Sequence, residues 1–82
     1  MDPAEVERLI EQGMEGAKAD VTGDGRHFDA VVVSERFEGM NRIQRHQLVF
    51  AAVKQHLSDD AIHALSLKTY TPDDWARLQQ SV

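Results

Sequence analysis

Four histidines, at positions 27, 46, 56 and 63, are the side chains of this 82-residue sequence best suited to chemistry. The chain has no cysteine. That excludes disulfides, zinc ribbons, thiol catalysis and an iron–sulfur cluster held by its own thiolates. Imidazole is therefore its only side chain that ordinarily titrates near neutrality, and the natural candidate for a metal ligand. Other arrangements offer less. There is no P-loop and no convincing Ser-His-Asp order. Asp59-Asp60 and Asp73-Asp74 stand where helices are expected to begin, and a carboxylate there is accounted for by capping and the helix dipole. Gly23-Asp24-Gly25 is too short for a dinucleotide fingerprint and falls between two strand-like runs, so it reads as a turn.

The elements that must position the histidines follow from periodicity. Asp2, Pro3 and Glu5 form a helix start, and Val6, Leu9, Ile10 and Met14 recur at helical spacing, predicting a helix over about 3–14. Two strands are expected at about 17–22 and 27–33, joined as a hairpin through the Gly/Asp-rich connector. In the second, Phe28, Ala30 and Val32 share one face, and His27, Asp29, Val31 and Val33 the other. Ser34 to Asn41 has no period and reads as a structured loop. A long helix is expected over about 42–57, with Ile43, His46, Phe50, Val53 and Leu57 on its apolar stripe, Val49 and Ala52 flanking it, and Arg42, Arg45 and Lys54 off it. Ser58-Asp59-Asp60 caps a short turn, 62–69 alternates as a third strand, and Thr71-Pro72-Asp73-Asp74 opens a last helix through about Gln79. The order is that of an α+β domain with one small sheet.

Within this frame His27 and His63 open the second and third strands. If those strands are neighbours, both imidazoles emerge at one end of the sheet. Two imidazoles are half of a metal site, which another molecule would have to complete. The other open reading makes His63 a half-buried structural residue beside Leu65 and Leu67, and His27 an exposed loop residue. His46, on the apolar stripe, reads as a structural histidine bonded to a backbone group, and His56 suits the negative end of its helix. Phe28, Phe50 and Trp75 read as core anchors. Arg36, Arg42 and Arg45 are a basic cluster, offset by Glu35 and Glu38, that suits a solvated face or a nucleic-acid contact.

Composition bounds the function. Fourteen acidic against nine basic residues leave a net charge of -5, which disfavours nonspecific attraction to nucleic acid or anionic lipid. No apolar run approaches the roughly 18 residues of a membrane span, and the first residues lack a signal-peptide core. The expectation is one small domain over residues 1–82, cytoplasmic, without membrane association.

Several segments together resemble the BolA family. They are Val33-Ser34-Glu35-Arg36-Phe37-Glu38-Gly39-Met40 leading into Arg45-His46-Gln47-Leu48-Val49, then Ile62-His63-Ala64-Leu65-Ser66-Leu67-Lys68, and Tyr70-Thr71-Pro72 with Asp74-Trp75. The Gly-Asp-Gly-x-His-Phe hairpin at Gly23 to Phe28 is closest to the family's short acid-resistance (IbaG) branch. The resemblance covers nearly the whole chain and implies a fold similar to the class II KH domain, with a small three-stranded mixed sheet and helices packed against it. It also implies a non-enzymatic role beside a monothiol glutaredoxin with a CGFS motif, the pair bridging one [2Fe–2S] cluster with glutathione. The family's C-terminal ligand histidine falls on His63 and its variable loop ligand on His27. A homodimer of the chain without cluster stays open. A second family theme is transcriptional control through DNA, for which Arg36, Arg42, Arg45 and Lys68 would be the contacts. Here the net charge is unfavourable, and the Gly-x-x-Gly phosphate clamp of KH domains is absent.

Overall fold

The computed structural model describes residues 2–80. Helix α1 spans Pro3–Gly13, and the Asp2 carboxylate accepts the Ala4 amide at 3.1 Å. Pro3 takes the first helical position, where a missing N–H loses no bond. Strand β1 (Lys18–Gly23) pairs antiparallel with β2 (Phe28–Val33), and β3 (Leu65–Tyr70) lies parallel to β2, giving the order β1-β2-β3. Parallel neighbours need a long crossover. Here it consists of a 3₁₀ turn at Glu35–Phe37, helix α2 (Arg42–Val53) and the five-residue helix α3 (Asp59–His63). Helix α4 (Pro72–Gln80) follows β3. The expected α+β order and three-stranded mixed sheet are both present.

Alternation along the strands divides the sheet into two unlike faces. Val21, Phe28, Ala30, Val32, Leu65 and Leu67 face the core, joined there by Val6, Ile10 and Met14 of α1 and by Val49 and Val53 of α2. Gly13 makes the packing of α1 on α2 possible. A Cβ at that position would lie 2.7 Å from the Ala52 carbonyl oxygen and 2.8 Å from its Cβ. The other face carries Asp20, Asp29, Val31 and Val33, with α4 against it. Trp75 meets Tyr70 there at 5.3 Å between ring centroids, but α4 buries no residue, so Trp75 is a half-buried cover and not the expected core anchor. The outer edge of β1 is occupied by α1. Glu11 accepts the Ala19 amide at 3.0 Å and Glu7 the Val21 amide at 3.2 Å, which removes two donors that an edge strand would otherwise offer to another chain.

Three expectations between residues 34 and 57 are corrected. The stretch 34–41, expected as a loop, contains the 3₁₀ turn and sends Phe37 into the core at 0% exposure. The buried stripe of α2 is also rotated from the expected one. Ile43 is 68% exposed, Phe50 is half-buried, and the fully buried positions are Val49 and Val53. The cause is Arg45, one turn before Val49. Its guanidinium donates through Nε to the carbonyls of Phe37 at 3.2 Å and Met40 at 3.0 Å, and through Nη1 to Thr69 at 3.5 Å. A cation so satisfied can lay its stem along the core edge. Hydrophobic periodicity alone places every charge outside. The helix also ends at Val53, and Leu57 is buried from the turn that follows. Among the described residues no helix is long and apolar enough to cross a membrane.

Candidate functional site

The hairpin connector fixes the backbone of His27. Gly25 adopts a φ of 92°, open to glycine at no steric cost. The Asp24 carboxylate accepts the Arg26 amide at 2.9 Å and the His27 amide at 2.8 Å, while the Asp24 amide donates to the His27 carbonyl at 3.2 Å. Both backbone groups of His27 are therefore engaged, and its imidazole stands exposed. The amide bonds, His27 first and Arg26 second, hold the Asp24 carboxyl below its usual range.

That lowered pKa gives a signed expectation. A carboxylate depressed in the folded state supports it above the unfolded value of about 3.9, and the support is lost as pH falls through the lower, folded value. Amide exchange at residues 25–27 should accelerate as pH is lowered below about 4, relative to the exchange intrinsic to each pH. Asp24→Ala should accelerate it already at neutral pH, with the core amides of β2 unchanged. Identical loop exchange in wild type and variant would remove Asp24 from this role.

His63 is reached by another route. It is the last residue of α3 and not, as expected, the first of a strand, and it too is exposed. Ser58 caps α3, accepting the Ala61 amide at 3.2 Å, and the Ala64 amide closes the helix on the Asp60 and Ala61 carbonyls. The Ala64 carbonyl then accepts the Phe28 amide at 2.9 Å, and Phe28 pairs with Leu65 in the first register position of the parallel ladder. One hydrogen bond thus joins the residue after His27 to the residue after His63. Residues 36 positions apart in sequence are brought to the same end of the sheet. Among the described residues no three His, Asp or Glu side chains gather into a group that could hold a metal. What this end offers a metal is two imidazoles and no thiol.

A second feature lies along the outer side of β3. Arg42, Arg45 and His46, at spacings of three and four on α2, line a cavity of about 290 Å³ with Leu67, Lys68, Thr69 and Tyr70. His46 is half-buried, and among the described residues its imidazole has no hydrogen-bond partner, contrary to its expected structural bond. Burial holds its imidazole below the usual range, and the neighbouring Arg42 adds to this. Of the four basic residues singled out in the sequence, Arg42, Arg45 and Lys68 meet here. Arg36 lies apart, in the groove between the sheet and α4 with Val31, Val33 and Trp75. His46 joins them, and its spacing of four from Arg42 is the sequence signal for that.

Known proteins share this fold. The family described as BolA-like protein matches residues 5–74. The chain is 36% identical over 77 residues to the acid stress protein IbaG of Escherichia coli (strain K12), covering 94% of this chain and 92% of that one. It is 40% identical over 60 residues to the DNA-binding transcriptional regulator BolA of the same organism, covering 73% of this chain and 56% of the regulator. The solved structure of a bolA protein homologue from Coxiella burnetii superposes with a TM-score of 0.86 at 42% identity, covering 94% of this chain and 99% of the other. Matched from Glu5 to Asp74 in sequence and over nearly its whole length in structure, the chain belongs to the BolA family.

Proposed function

We propose that this chain is a non-enzymatic adaptor that pairs with a monothiol CGFS glutaredoxin and contributes His63 and His27 to a bridging [2Fe–2S] cluster. The observation that carries this reading is the register: Phe28 opposite Leu65 brings two exposed histidines to one sheet end, with no third His, Asp or Glu grouped with them among the described residues. The cluster is cargo, and the donor set fits half of it. Four ligands are needed, and in the partnership that the family resemblance implies, the glutaredoxin cysteine and glutathione provide two sulfurs. Imidazole in place of thiolate raises the reduction potential and leaves the ligands open to protonation, which suits transfer or sensing better than storage.

Among the described residues neither imidazole has an ion-pair partner that ligation would displace. His63→Ala should abolish the mixed cluster's visible spectrum and leave the far-ultraviolet circular dichroism unchanged, because an exposed residue ending a five-residue helix carries little of the core. His63→Cys should keep a cluster with a shifted spectrum, thiolate being a competent ligand. His27→Ala should weaken the cluster and not abolish it. A cluster unaltered in His63→Ala contradicts the assignment.

A second reading, regulation through nucleic acid, is favoured by the likeness to the DNA-binding transcriptional regulator BolA and by the meeting of Arg42, Arg45 and Lys68. It requires binding that weakens steeply with salt in gel shifts. The net charge and the separation of Arg36 make it the lesser proposal.

A further inference from the structure

The basic cavity beside β3 is unlike the rest of this acidic surface. The chain has fourteen carboxylates and a net charge of -5, yet among the described residues the one ion pair joins Arg77 to Asp74. Among the described residues none of Arg42, Arg45 or Lys68 has a carboxylate within salt-bridge distance. Arg45 is a fixed charge, its Nε and Nη1 held by the three carbonyls of Phe37, Met40 and Thr69, so its remaining Nη2 has a set position. Arg42 and Lys68 are exposed and free to close over an occupant. Arg42 is moreover the first residue of α2, whose first turn has no acidic residue. A cation at that end opposes the helix dipole, and an anion bound there would satisfy both.

We infer that this cavity is a binding site for a small phosphate-type oxyanion, gripped by Arg42, Arg45 and Lys68 with the His46 imidazole at its wall. A volume of about 290 Å³ accommodates a phosphate or a small phosphate monoester. Arginine's planar fork suits two oxygens of one phosphate group, and the lysine ammonium serves a third. The carboxyl-free wall presents no repulsion to a doubly charged ligand. This site shares no lining residue with His27 or His63 and needs neither a cluster nor a partner, so its fate is independent of the adaptor function.

His46 supplies the readout. Bound anion offsets the Arg42 charge beside the ring, so the imidazole should titrate at higher pH when the site is filled. The free chain is titrated with inorganic phosphate, then ribose 5-phosphate, with chloride at matched ionic strength as control, following the His46 ring resonances by NMR. The expected result is a saturable shift with either phosphate and none with chloride. Arg42→Ala and Lys68→Ala should each weaken binding about tenfold or more, as the loss of a charge-assisted contact implies. Tighter binding of ribose 5-phosphate would mark a monoester as the occupant, and equal binding free phosphate. A shift no larger than chloride gives, or one that survives in both variants, overturns the site. So does binding of an oligonucleotide when neither small phosphate binds, which would assign the basic residues to a polymer.

Discussion

Phe37→Ala should lower stability by about 3–5 kcal/mol, the range for removing a fully enclosed aromatic ring. Phe37 is 0% exposed and is the bulkiest of the fully buried side chains. It comes from a short 3₁₀ turn capped by Ser34, whose hydroxyl accepts the Arg36 amide at 3.1 Å. The turn has little strength of its own, so its conformation depends on the ring being held. A domain of this length has about 5–10 kcal/mol in total. The variant should therefore melt more than about 12 °C below wild type or be unfolded at ambient temperature. Phe50→Ala, at a half-buried position, should cost only about 1–2 kcal/mol. Thermal denaturation of the two variants side by side decides the matter. If Phe50→Ala is the more damaged, the face of α2 described above is wrong.

Arg45→Ala should be the most damaging change at any charged position, about 3 kcal/mol. It removes a donor from three backbone carbonyls and takes the guanidinium from above the Phe37 ring, 5.8 Å from its centroid. Hydrogen bonds from a charged group contribute roughly 1.5–3 kcal/mol each, and those sharing one side chain do not sum. Arg45→Lys should recover less than half, because one ammonium cannot reach carbonyls from the 3₁₀ turn, the loop before α2 and the end of β3 together. The partners are dipoles and not carboxylates, so the loss should be nearly the same at low and high salt. A loss that vanishes at high salt would mean that Arg45 acts through charge, and the bonding described here would be incorrect.

Local rules made most of the architecture legible. The Asp2-Pro3 start, the Gly-Asp-Gly connector, the alternation of Phe28, Ala30 and Val32, and the Ser58 cap are each decided by residues within a few positions. The rest depended on partners distant in the chain. Arg45 lies at the core edge because Thr69, 24 residues later, supplies one of its acceptors. Phe37 belongs to the core because the sheet offers it a place, and no period in 34–41 announces that. His63 shifted from strand to helix end because the Ala64 amide is drawn back to α3. Parallel pairing of β2 and β3 is what places residues 27 and 63 at one end of the sheet. Their role as ligands rests on the family resemblance joined to this placement.

The central claim is tested most directly by mixing the purified chain with a CGFS glutaredoxin, iron, sulfide and glutathione and recording visible circular dichroism. The account predicts a cluster spectrum distinct from that of the glutaredoxin alone, carried by a one-to-one complex that elutes ahead of either protein. A spectrum identical to the glutaredoxin's own, with this chain eluting separately and free of iron, would contradict it.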